Sequence, residues 1–219
     1  MPSTITRALS ALALFALAAP PSLRAQTEDP AHVHIGHVAD GFRGTPEGLG
    51  LLPAAVAEAQ VAAQHAGLAA RDPTNLDGMK RHAGHVLHAL DPSTVESGPG
   101  GGYGVKAGAD GAARHIELAA ASEGATENVK LHANHVATAA SNVSGWTDEA
   151  IELARGIQSA TTADEAAEKL HELIQLTDAI ANGRDTDGDG RIGWQEGEGG
   201  LAQASQHLTL MRNAEGLAG

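Results

Sequence analysis

The chain contains no cysteine, which removes both disulfides and thiolate ligands from its chemistry. Aromatic residues make up only 2% of it, too few for the core of a sandwich or barrel, and alanine-rich segments dominate instead. Such a core is built from small side chains on closely approaching helices. Positive charge is also scarce. With 14 Lys and Arg against 27 Asp and Glu, the formal charge of −13 repels nucleic acid and anionic membrane surfaces and suits a binder of cations. Past the first 25 residues no apolar run approaches membrane-spanning length, so no stable membrane association is expected after that segment is removed.

What is present begins with a secretory leader. Arg7 supplies a positive start, Ala8 to Ala19 form a short apolar stretch, and Leu23-Arg24-Ala25 resembles a cleavage site, so residues 1–25 are expected to direct export to a periplasmic or extracellular space. Residues 26–50 carry Pro, Gly and His without helical periodicity and read as an extended arm. Helices are then expected from Pro53 to Arg71, Thr74 to Leu90, Val105 to Ser122 and Thr126 to Asn142. Ser144-Gly145 is expected to break the chain before Thr147 caps a fifth helix to Ser159. A sixth starts at Thr161 or Thr162 and runs to Ala181, and a seventh covers Leu201 to Met211.

Residues 55–90 repeat at 105–140. His65, His82 and His85 fall on His115, His132 and His135, and Lys80-Arg81-His82-Ala83-Gly84-His85-Val86 aligns with Lys130-Leu131-His132-Ala133-Asn134-His135-Val136. Each copy reads as a helical hairpin unable to bury its apolar stripe alone. The expected fold is therefore all-α: a four-helix bundle from two repeated hairpins over 51–143, followed by a helical segment over 144–219.

Twelve histidines against one Tyr and two Phe are the strongest compositional bias. Histidines three apart on a helix form a two-point grip, and helical phase points four histidines toward or close to one common interior: His65, His115 and His132, with His82 at its edge, while His135 lies on the margin and His85 further out. His65 and His82 stand at similar heights on either side of their turn, and the same holds in the second hairpin. Neutral imidazoles without sulfur donors suit Zn, Ni, Co, Cu(II) or Fe. A non-covalent haem b between facing histidines is the other chemistry open to small-residue helices, since no Cys-x-x-Cys-His is present. His32, His34 and His37 in the arm are further candidate ligands, whereas His171 and His207 read as structural. A metal-dependent enzyme would need a carboxylate such as Glu58 or Glu117 beside a bound water, and a calcium-stabilised interaction module with incidental histidines is the third reading.

The last motif is Asp185-Thr186-Asp187-Gly188-Asp189-Gly190-Arg191-Ile192-Gly193-Trp194-Gln195-Glu196, with acidic residues at positions 1, 3, 5 and 12, glycine at 6 and an aliphatic at 8. It resembles the calcium loop of the EF-hand family. The resemblance implies calcium held by Asp185, Asp187, Asp189, the Arg191 carbonyl and both oxygens of Glu196, with a water at Gly193. No second loop is present to meet Ile192, and Gly197, Gly199 and Gly200 crowd the start of the exiting helix, so the expected role is a brace rather than a switch. The whole then reads as an exported, calcium-binding helical bundle holding a transition metal or haem for storage, buffering, delivery or sensing, with metal ions as its partners.

Overall fold

The computed structural model describes residues 29–217; the leader expected at 1–25 lies outside them. Among the described residues there are seven α-helices and no strand: α1 (Pro30–Ala39), α2 (Leu51–Ala69), α3 (Leu76–Leu90), α4 (Val105–Ala121), α5 (Glu127–Ser159), α6 (Ala163–Asn182) and α7 (Leu201–Ala214). No described helix is long and apolar enough to cross a membrane.

Local chemistry sets most of the helix starts. Asn75 caps α3 by accepting from the Gly78 amide at 2.8 Å, Thr126 caps α5 through the Val129 amide at 3.0 Å, and Thr162 caps α6 through the Glu165 amide at 3.2 Å. Gly183, at φ 79°, ends α6 in the left-handed region that glycine enters without a Cβ clash.

Two sequence expectations are overturned. Residues 30–39 form a helix instead of an extended arm. Asp29 accepts from the Ala31 amide at 2.9 Å, Pro30 occupies the first turn, and Ala31, Ile35 and Val38 make a buried stripe against the rest of the protein. The chain is also unbroken at Ser144-Gly145. Gly145 costs a helix interior about 1 kcal/mol relative to alanine, but Val143, Trp146, Ala150 and Ile151 are buried on the same helix and offset it. Thr147 is not a cap; its hydroxyl donates to the Val143 carbonyl one turn back, at 2.7 Å.

α5 is the spine, packing on α3, α4, α6 and α7, while α2 packs on α1, α3, α4 and α6. One apolar core runs from Ala31 to Met211. Gly108 permits α4 to approach α2, because a Cβ there would lie 2.7 Å from the Ala55 Cβ. The internal repeat is kept in the packing. Buried Ala55, Ala59, Ala62, Ala66 and Ala69 of α2 correspond to buried Val105, Ala109, Ala112, Ile116 and Ala119 of α4. Met79, Ala83, Val86 and Ala89 of α3 likewise correspond to Val129, Ala133, Val136 and Ala139 of α5.

Candidate metal centres

The histidines do not meet in one interior. They form three separate half-buried triads, one at each of three helix seams: His34, His37 and His115 between α1 and α4; His65, His82 and His85 between α2 and α3; and His132, His135 and His207 between α5 and α7. Each takes a pair three residues apart from one helix and a single histidine from another.

The three share one geometry. The Nδ1 of the single histidine faces both Nδ1 atoms of the pair: His115 lies 3.0 Å from His34 and 3.3 Å from His37. His65 lies 3.0 Å from His82 and 3.2 Å from His85, and His207 lies 3.1 Å from His132 and 3.2 Å from His135. A neutral imidazole Nδ1 carries one proton or one in-plane lone pair, so the central ring makes one good hydrogen bond and not two. A cation satisfies all three lone pairs together. Nitrogens bound tetrahedrally at zinc-like lengths of about 2.0–2.1 Å stand about 3.3–3.4 Å apart, close to the observed spacing. Trans ligands of a haem would stand about 4 Å apart on opposite sides of the iron, which three nitrogens converging on one point do not resemble.

The electrostatics keep lone pairs available. Burial, then the charge of neighbouring histidines, lowers the pKa of His65, His115 and His207, the last to about 4. Burial and one paired histidine lower His34 and His135, and His82 is lowered by burial, His85 and nearby Arg81 and Arg71. Each lowering favours the neutral ring that metal ligation requires.

The expected grouping holds for His65, His82 and His85. It fails for the second hairpin, where His115 turns to α1 and His132 with His135 turn to α7. Of the three candidates in the expected arm, His34 and His37 are brought to His115 because their segment is helical, while His32 points elsewhere, its Nε2 3.4 Å from Glu215 Oε2. His207, read as structural, completes a triad; His171 is exposed beside Gln175 at 3.1 Å. A signal for both groupings lies in the sequence. His34-Ile35-Gly36-His37-Val38 is a third copy of the paired motif, and Ala204-Ser205-Gln206-His207 matches Ala62-Ala63-Gln64-His65 and Ala112-Ala113-Arg114-His115. Paired and single motifs alternate along the chain.

Glu58 is not a catalytic partner of any triad. It is buried on α2, where Oε1 accepts from the Tyr103 amide at 2.8 Å and the Gly104 amide at 3.4 Å, so it pins the glycine-rich connector before α4. Glu117 is an exposed residue of α4.

In the acidic loop, Asp185, Asp187 and Asp189 each place a carboxylate oxygen within 4.8 Å of the others. Asp185 accepts from Gly188 at 2.7 Å and Gly190 at 2.9 Å, and Asp189 accepts from Arg191 at 2.8 Å. Glu196 is exposed and outside this cluster; the residue that closes the loop is buried Glu198, whose Oε2 accepts from Gly193 at 2.9 Å and whose carbonyl accepts from Arg184 at 2.9 Å. The exiting helix starts only at Leu201, after the glycines. No family model, curated protein or solved structure matches the chain.

Proposed function

We propose that the protein binds transition-metal ions through its three histidine triads, up to three ions per chain, and serves as an exported metal store or buffer. The reading rests on one observation: at three separate seams, three Nδ1 atoms converge at distances that hydrogen bonding satisfies poorly and a cation satisfies fully. Borderline divalent ions match this donor set, namely Zn, Cu(II), Ni, Co or Fe(II). Repeating one neutral donor set three times suits capacity, with an open position at each ion through which cargo is exchanged. Export is inferred from the leader at 1–25 and calcium in the 185–196 loop from its EF-hand ligand order. Calcium binding draws Glu196 onto the ion and braces α6 against α7.

Elemental analysis and calorimetric titration of the purified chain with Zn(II) and Ni(II) test the reading. Three ions per chain are expected, falling to two when His65, His115 or His207 is replaced by alanine. Binding at background, or a stoichiometry indifferent to these replacements, refutes it. Mass spectrometry of the exported protein, expected to begin near Gln26, tests the localisation separately.

A further inference from the structure

The three triads have the same donors but different surroundings. At the α1/α4 seam, Phe42 meets His37 and His115 edge-on, with ring centroids 5.5 and 5.1 Å apart and interplanar angles of 76° and 64°. At the α5/α7 seam, Trp194 lies flat on His135, with centroids 3.8 Å apart and planes 20° from parallel, and stands edge-on to His207 at 6.5 Å. At the α2/α3 seam, the three histidines meet only one another among the aromatic rings of the described residues, His65 and His82 stacked and His85 edge-on to both.

This difference matters once an ion is bound. A ligating imidazole takes on part of the cation's charge. An indole face is the most attractive aromatic surface for such charge, whereas the phenyl ring of Phe42 is a weaker one and lies parallel to neither of its histidines. The indole also covers one face of His135, lowering the local dielectric and fixing the ring before the ion arrives.

Trp194 is itself held in place. Asn142 of α5, the helix that carries His135, donates from Nδ2 to the Gln195 carbonyl at 2.8 Å and the Gly199 carbonyl at 3.1 Å, and its Oδ1 accepts from the Gly197 amide at 2.9 Å. Gly199 lets this segment sit down on α5, since a Cβ there would lie 3.0 Å from the Ala139 Cβ. The stack is therefore clamped by three hydrogen bonds to the same helix as its target.

Resting on the proposal that the triads bind metal, we infer that the sites are graded and that the His132, His135, His207 site fills first, with Trp194 as its affinity-determining positioning residue. Its occupancy is thereby felt in the 184–200 segment, which the other two sites do not touch through an aromatic ring.

The test is a stepwise Ni(II) titration of the full chain followed by tryptophan fluorescence, in a Trp146→Phe background so that Trp194 is the only emitter. Quenching is expected to be complete with the first of three equivalents. Read by calorimetry, since it removes the emitter, Trp194→Leu should lower the affinity of this site by about 3- to 10-fold while leaving three ions bound, and Trp194→Phe should fall between, with unchanged helical circular dichroism in both. Quenching that follows the second or third equivalent, or an affinity indifferent to Trp194, overturns the inference while three bound ions keep the metal reading intact. Failure of any ion to bind removes both.

Discussion

The two repeated hairpins bury the same positions yet use their histidines differently. In α2–α3, His65 meets His82 and His85 across the hairpin's own seam. In α4–α5 the equivalent His115 and the pair His132 and His135 part company, each completed by a flanking helix. The repeat thus determines where donors sit on each helix, while the neighbour that packs over them determines which donors meet. α1 and α7 convert one hairpin's set of three histidines into two complete sites.

The sharpest way to break this comparison is to remove donors in pairs. His115→Ala should cost one ion of three. Adding His34→Ala should cost nothing more, because both belong to the same seam, whereas adding His132→Ala should remove a second ion. Were the hairpins equivalent, His115 would share a site with His132, and adding His132→Ala would cost nothing more. The loss of affinity at each damaged site should exceed the roughly 10- to 100-fold that loss of an outer-shell partner brings, and calorimetry under identical buffer reads it directly.

Acid should separate the seams next. A ring whose pKa is lowered on folding binds fewer protons in the native state than in the unfolded one, so its contribution to the metal-free protein's stability is complete above the unfolded value and is lost as pH falls. For His207 that window runs from about 6.5 down to about 4. The metal-free protein should therefore melt at progressively lower temperature across this range, and His207→Asn should flatten the dependence. Bound metal opposes the loss until protons displace it. Thermal melts from pH 7 to 4, with and without Zn(II), measure both effects.

At the α2/α4 contact the two copies differ in bulk, with Gly108 standing opposite Ala55 where the first copy has buried Glu58. Gly108→Val should push α4 off α2 and destabilise by about 1–3 kcal/mol, read by urea denaturation. Because α4 carries His115, the α1/α4 site should weaken while the α5/α7 site holds.

Much of this was legible in the sequence. Thr126 and Thr162 announce helix starts through their side chains, the 50-residue repeat gives the hairpins, and the spacing of His82 and His85 with His65 gives one complete triad. The misses have physical causes. The apolar stripe of α1 is only Ala31, Ile35 and Val38, hidden among histidines and glycine, although Asp29-Pro30 is a sound start signal. Helix phase places a side chain on a rim but not against a particular neighbour, so it assigned His132 and His135 to His115 instead of His207. The acidic loop shows the same limit: ligand order is plain in the sequence, but the placement of Glu196 outside the aspartate cluster depends on how Glu198 and Asn142 anchor the loop's end.

The smallest effect concerns α5, whose continuity carries His132 and His135 on the same helix as Trp146. A cap at Thr147 and an interior threonine make opposite predictions. If Thr147 capped a new helix, Thr147→Val would cost about 1 kcal/mol through loss of a bond to a following amide. In the continuous helix its hydroxyl returns to Val143 within a buried environment, so Thr147→Val, which keeps the shape and removes both need and source of that bond, should change stability little. Gly145 has open space where a Cβ would go, so Gly145→Ala should stabilise by about 0.5–1 kcal/mol. A gain from Gly145→Ala by urea denaturation requires the unbroken helix, because a glycine serving as a helix stop would lose stability on the same replacement.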